Sequence, residues 1–300
     1  MTEPVPTVSP DLPSPPWRAT LALLERLPQA ALSRSLGRLA DLRIPRPLRR
    51  IVLGTFARAV GIDVAEAARP LDEYVSINEF FVRRLRPGLR AWPHDPDSAA
   101  SPADGITGQR GTITAGRLIQ AKGREYSAAD LLVDAAEAHR FEGGTFLTIY
   151  LSPRHYHRLH APCGGTIPYA RYVPGALLPV NAAAVVHIAR LFPRNERVIC
   201  IIDAPIGRCA VVAIGAYNVG RISTTFDEAW AGSGRAVSNR GTPAETRRYD
   251  PPLPVTQGAE IMAFHLGSTI VLLFEPGLRL TASVPGTEIR LGTVVARRAS

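Results

Sequence analysis

The chain has 300 residues, of which 46% are hydrophobic and 20% charged, so bulk disorder is excluded and a large core is possible without disulfide staples. Basic residues outnumber acidic ones by 35 to 26, a net charge of +9, yet only one of them is a lysine, Lys122. An enzyme that anchors pyridoxal phosphate needs a lysine, so amine chemistry here points to a carbonyl from another source. Cys163, Cys200 and Cys209 are odd in number and lack a CxxC spacing, which speaks against a disulfide framework and against thiolate zinc.

Residues 1–16 are Pro-rich, carry no positive leader and read as a disordered tail rather than a secretory signal. From Trp17 to Arg69 the pattern is helical: Leu21 and Leu24 share a face, and Leu32, Leu36 and Leu39 recur at helical spacing. Pro28, Pro45 and Pro47 cut this segment into short helices. Their arginines suit either ordinary packing helices or helices lying on an anionic membrane surface. No run of about 18 apolar residues exists, so membrane contact is expected to be peripheral. Residues 76–90 read as a capped helix, with Ser76 as N-cap and Glu79 three residues on.

Trp92–Pro102 is Pro-rich and reads as a linker. Beyond it come short β-type runs punctuated by glycine: Thr145–Leu151, Val198–Ile202, Ala210–Tyr217, Ile261–Phe264 and Ile270–Phe274. Helical pieces are expected at 127–139, with Ser127 as N-cap, and at 181–192. The expected fold class is α+β, N-terminal amphipathic helices followed by a β-rich catalytic core. The expected divisions are 1–16 (tail), 17–95 (helical, membrane-docking) and 96–300 (catalytic). Neither GxGxxG nor GxxxxGK[ST] occurs, so dinucleotide and P-loop readings have no support.

Three segments could carry chemistry. Tyr150–Gly165 holds His155, His157 and His160, which fit solvated strand residues, an HxH metal pair or acid–base catalysts. No acidic ligand lies nearby in sequence, so no metal is expected. Asp104 followed by Gly105 fits a tight turn between strands. Gly267-Ser268-Thr269 opens a strongly apolar strand. A serine, a histidine cluster and an aspartate are the parts of a Ser–His–Asp arrangement, although Ser268 has no GxSxG elbow.

Together ADG (103–105), the SPRxYHRxHxP stretch (152–162), LGST (266–269) and INEFFVRRLRPGLR (77–90) resemble the phosphatidylserine decarboxylase family of pyruvoyl-dependent enzymes, over roughly residues 70–280. The resemblance implies self-cleavage between Gly267 and Ser268 into chains 1–267 and 268–300, which stay together as a heterodimer. It implies Asp104, His160 and Ser268 as the self-cleavage triad and His157 as the residue of the decarboxylation step. Ser268 would become a covalent pyruvoyl cofactor that forms a Schiff base with phosphatidylserine, giving phosphatidylethanolamine and CO2. It also implies a phospholipid substrate, a membrane surface as partner, a peripheral place on the cytoplasmic side of the cell membrane, and no nucleic acid. One departure is visible: the family usually has an acidic residue where this chain has His155. Two alternatives compete: a serine hydrolase using Ser268, His160 and Asp104 without cutting itself, and a non-enzymatic β-rich scaffold on the membrane.

Overall fold

The computed structural model describes residues 29–299 except 94, 122–123, 217–220, 228–229, 231–242, 266–267 and 282–283. The tail over 1–16, the Leu21/Leu24 face and Gly267 therefore lie outside the described residues.

Helices α1 (Gln29–Ala40) and α2 (Arg46–Val60) open the described chain. Pro45 and Pro47 fall at the start of α2, where a missing N–H leaves no bond unmade, and Gly61 closes it at φ 79°. Leu53 and Ala57 of α2 are buried in a cluster with Tyr74 and Phe80. Leu48 and Ile51 of the same helix stay exposed, at 49% and 67%. This helix is thus apolar on more than its packed face.

The capping pair at Ser76 forms as expected: Glu79 N–H donates to Ser76 Oγ at 3.1 Å, and the Glu79 carboxylate accepts from Val75 N–H at 2.7 Å. The helix it starts, α3 (Ile77–Phe81), is much shorter than the expected 76–90. Its continuation pairs with another backbone instead. Ala68 N–H donates to the Arg84 carbonyl at 2.8 Å and Arg86 N–H to the Glu66 carbonyl at 2.9 Å. Pro87 then forbids a return to helix.

The strands, in chain order, are β1 (Ser98–Ala100), β2 (Gly105–Thr112), β3 (Arg117–Ala121), β4 (Arg124–Ser127), β5 (Thr145–Leu151), β6 (Arg158–His160), β7 (Gly165–Val173) and β8 (Arg197–Ala204). There follow β9 (Gly207–Ile214), β10 (Ile222–Thr224), β11 (Glu245–Val255), β12 (Glu260–Phe264), β13 (Ser268–Phe274), β14 (Leu278–Leu280), β15 (Glu288–Ile289) and β16 (Val294–Arg298). Eight of them form one antiparallel sheet in the order β11-β7-β8-β9-β13-β5-β2-β15. The fold is α+β with a β-rich core.

The central strands read as unbroken apolar runs because both faces of the sheet are covered. On β13, Ile270, Leu272 and Phe274 join one core cluster, with Leu159, Met262 and Phe264 of the β10-β12-β6 sheet. Val271 and Leu273 point the other way, into a cluster with Leu131, Leu191 and Phe192. The helices on that face are short. The expected helix over 127–139 divides into Ala128–Leu132, capped by Ser127, and Ala135–Arg140, capped by Asp134, with Val133 left-handed between them. The piece over 181–192 divides likewise, into Ala182–His187 and Leu191–Arg194, around Arg190 at φ 53°. The Pro-rich stretch read as a linker is packed: Ser98–Ala100 pairs with β16, and the Trp92 ring lies 5.8 Å from that of His160. The three cysteines are free and buried.

Candidate active site

Asp104 stands immediately before β2 and is buried. Its carboxylate accepts from Leu291 N–H at 2.7 Å and from both arms of Arg90, at 3.0 and 2.6 Å. Arg90 also donates to Glu66 at 3.1 and 3.0 Å, so one guanidinium bridges two carboxylates and its own pKa is pushed up by them. Gly105 is not the turn residue expected. A Cβ there would meet Ile149 Cγ2 at 2.5 Å and the Tyr150 carbonyl oxygen at 2.7 Å. The glycine lets β2 approach β5 closely, which brings Asp104 to the end of the sheet.

Strand β5 ends at Leu151, and β6 begins at Arg158. The turn between them is built by its own side chains. His155 Nδ1 accepts from Ser152 N–H at 3.0 Å, the task an acidic side chain performs in such a turn. His155 thus acts in this turn as a hydrogen-bond acceptor through a neutral ring nitrogen.

His157 is fully buried, with the Phe81 ring at 4.0 Å. Its Nδ1 lies 2.8 Å from the His155 carbonyl, which only accepts, so Nδ1 carries the proton and Nε2 the lone pair. Nε2 is buried without a partner among the described residues. Burial drives the His157 pKa down to about 3, against a smaller opposing effect of the His155 carbonyl.

His160 is settled by the same logic. Nδ1 donates to the Gly258 carbonyl at 2.7 Å, and Nε2 accepts from the Tyr156 hydroxyl at 3.0 Å. Burial lowers its pKa, while the Gly258 carbonyl and the charges of Glu260 and Asp104 act the other way. His160 N–H donates to the Pro102 carbonyl at 2.9 Å, fixing β6 beside the Asp104 loop. A cavity of about 280 Å³ is lined by His160, Tyr156, Trp92 and Leu291 and by Arg90, the partner of Asp104.

Ser268 is the first residue of β13, opposite Leu151. Its hydroxyl is buried and has no hydrogen-bond partner among the described residues, and neither has that of Thr269. On the N-terminal side, Phe264 N–H donates to the His157 carbonyl at 2.9 Å, and His265 N–H to the Arg221 carbonyl at 3.0 Å. His265 Nδ1 lies 3.1 Å from Asn78 Oδ1 and its Nε2 3.0 Å from Ser223 Oγ. Phe264 is thus held against the histidine-bearing segment, and His265 against Arg221, Asn78 and Ser223.

The fold therefore brings His160 and Arg90, the partner of Asp104, to one cavity, and holds His157 against Phe264, four residues before Ser268. Among the described residues no hydrogen bond joins Asp104, His160 and Ser268 into a relay. Arg90, Tyr156, Trp92 and Phe81 belong to the same neighbourhood and were not singled out from the sequence. Tyr156 lies between two of the histidines that were, and Phe81 and Arg90 lie in the INEFFVRRLRPGLR segment, so position alone could have flagged them. Among the described residues no three His, Cys, Asp or Glu side chains gather as a metal site.

A family model described as phosphatidylserine decarboxylase matches residues 77–297. The chain is 45% identical over 277 residues to a phosphatidylserine decarboxylase proenzyme of Anaeromyxobacter sp., covering 92% of this chain and 96% of that protein. It is 41% identical over 256 residues to the protein of that name from Myxococcus xanthus, covering 85% and 89%. A third relative of the same name, from Bordetella petrii, is 41% identical over 278 residues, covering 90% and 93%. With the family model spanning Asp104, His157, His160 and Ser268, and relatives at 41–45% identity covering most of the chain, the chain belongs to the phosphatidylserine decarboxylase family.

Proposed function

We propose that the chain cuts itself at Gly267–Ser268 and then converts phosphatidylserine into phosphatidylethanolamine and CO2. The observation that carries this reading is Ser268: a buried hydroxyl without a hydrogen-bond partner among the described residues, at the head of a central strand, preceded in sequence by a glycine. Ser268 Oγ attacks the Gly267 carbonyl carbon, and its proton passes to a histidine. The peptide C–N bond gives way to an ester. β-Elimination frees the carboxylate of chain 1–267, and hydrolysis of the dehydroalanine left behind releases ammonia and leaves a keto group on chain 268–300.

The residues fit a pyruvoyl group at this place, because the new chain end stays anchored by the pairing of β13 with β5 and β9. Such a group supplies the electrophilic carbonyl and the electron sink that decarboxylation of an amino acid requires. His160 serves as the base for cutting when its Nε2 exchanges the Tyr156 hydroxyl for that of Ser268. The Asp104 charge favours the imidazolium that results. His157, sealed under Phe81, holds a proton on Nδ1 and a free lone pair on Nε2, and serves the later proton transfer to the substrate carbon. The test is direct. Denatured wild-type protein is expected to run as two chains, the smaller one trapped by a hydrazine reagent, and to release CO2 from phosphatidylserine vesicles. A single intact chain that releases no CO2 would reject the reading and favour the scaffold alternative.

The helical region is proposed to dock peripherally on the cytoplasmic side of the cell membrane. No helix among the described residues is long and apolar enough to cross a bilayer. Leu39, Leu42, Leu48 and Ile51 are each at least 49% exposed, beside the exposed Arg38, Arg43, Arg46 and Arg50. Leu48→Asp with Ile51→Asp is expected to lower affinity for anionic vesicles by roughly tenfold or more, since each buried aliphatic side chain contributes about 1.5–3 kcal/mol. Co-sedimentation at wild-type level would rule this surface out.

A further inference from the structure

Just after α3 the chain buries a cation that makes no ion pair among the described residues. Arg83 is 2% exposed. Its guanidinium lies 5.5 Å from the centre of the Phe80 ring, and its hydrogen bonds, to the Phe81 and Arg154 carbonyls at 3.5 and 3.4 Å, are at the long limit. Its Nε is buried without a partner among the described residues. The other arginines with little side-chain exposure are well supplied. Arg90 has Glu66 and Asp104, and Arg208 has Glu137 and Asp203. Arg197 donates to the carbonyls of Asp130, Leu131, Pro193 and Asn195, all at 2.7–2.9 Å. Burial lowers the Arg83 pKa and the charges of Glu66 and Asp104 oppose it, but both carboxylates are bonded to Arg90, so the buried guanidinium lacks an anion in contact with it among the described residues.

The surroundings say which anion. Arg83 lines a cavity of about 300 Å³ with Arg69, Arg84, Arg158 and Glu79. Glu79 is taken by Arg69 at 2.7 Å and Arg158 is paired with Glu260, so the lining keeps a positive excess. The cavity adjoins the reaction centre: Phe81, two residues before Arg83, stacks on His157, and the Arg83 charge is felt by that ring. A serine head group carries two anions, a carboxylate and a phosphodiester. A guanidinium clamped on the carboxylate would stabilise the negative charge that must leave the carboxylate as CO2 forms, when the C–C bond electrons pass to the α-carbon. The phosphodiester passes unchanged from substrate to product, so gripping it positions the amine without opposing the chemistry. The planar fork of arginine matches phosphate oxygens.

We propose that Arg83, in the lining of this cavity, binds the phosphodiester of the lipid head group. The proposal rests on the decarboxylase reading, and the experiment separates the two. In the wild-type enzyme, glycerophosphoethanolamine is expected to compete with phosphatidylserine, whereas ethanolamine at the same concentration does not. Arg83→Gln, shown by mass to be cut into two chains, is expected to lose roughly 10²-fold in kcat/KM for phosphatidylserine, mainly through KM, together with the inhibition by glycerophosphoethanolamine. Arg83→Lys keeps the charge without the fork and is expected to recover part of the loss. If Arg83→Gln fails to mature, Arg83→Lys and the wild-type competition decide. Equal inhibition by ethanolamine, an unchanged KM in a processed variant, or inorganic phosphate that binds without competing would each overturn the assignment. Absence of CO2 release by the wild type would sink the decarboxylase reading and this site with it.

Discussion

Ser268→Ala is expected to leave a single chain of about 32.4 kDa under denaturing conditions, with no carbonyl trapped by hydrazine and no CO2 released from phosphatidylserine. The substitution removes the nucleophile and little else. Ser268 Oγ makes no hydrogen bond among the described residues, so replacing it takes away a buried polar atom that the fold does not use. The variant should therefore be at least as stable as the uncut parent, and loss of cutting is not attributable to misfolding. His160→Ala and Asp104→Asn are expected to block or greatly slow cutting too, because the members of such a set act as a unit. Asp104→Asn has a second cost. Its carboxylate accepts three hydrogen bonds, two from Arg90, and a neutral amide there leaves Arg90 with one carboxylate fewer. A urea titration alongside the mass measurement separates slow cutting from a weakened fold. Two chains from Ser268→Ala would refute the proposed nucleophile.

His157→Ala is expected to behave in the opposite way: two chains, a trappable carbonyl, and decarboxylation reduced by roughly 10²–10⁴-fold, the usual worth of general acid–base catalysis. The pH dependence follows from the low pKa. At about 3, held there by burial, the ring is neutral near pH 7 and its Nε2 can accept a proton but not give one. The group becomes a donor only as pH falls toward that value, or when the site opens and an anionic head group enters beside it. Both changes favour the imidazolium. Wild-type kcat is thus expected to rise as pH falls below neutrality, within the range where the fold persists, and the alanine variant is expected to lose that limb. A processed variant with wild-type turnover would remove His157 from the chemistry. An uncut one would place it in maturation.

Much of the site was legible because its parts lie in short stretches with local causes. Ser76 and Glu79 formed their reciprocal cap because both partners sit within one turn. Ile270–Phe274 read as a strand because a run apolar on both faces has few other places to go in a covered sheet. What stayed hidden depends on distant partners. Nothing near Asp104 in sequence announces that Leu291 N–H, 187 positions away, will bind its carboxylate, or that Arg90 will share it with Glu66. The Gly105 reading failed for the same reason. The residue that forbids a side chain there is Ile149, on a neighbouring strand. The helix expected over 76–90 stops at Phe81: spacing records what a segment can bury, not the competing backbone at 66–68 that takes the Arg84 carbonyl and the Arg86 N–H.

The place of β13 in the sheet also fixes what cutting can undo. Chain 268–300 supplies a strand bonded along both edges, to β5 and β9, and returns twice more through β15 on β2 and β16 on β1. Severing one peptide bond leaves this lacing in place, so the fragments cannot part or swap between molecules without opening the middle of the sheet. Their lifetime together is a matter of kinetics, set by the barrier to global unfolding rather than by a dissociation constant. The reverse journey is different. In the uncut chain the pairing of β13 is intramolecular, at high effective concentration, while separated fragments would have to meet as strangers. The proposed cutting would therefore work as a ratchet: the chain folds once, cuts once, and thereafter carries a structure that it holds but has lost the covalent means to rebuild.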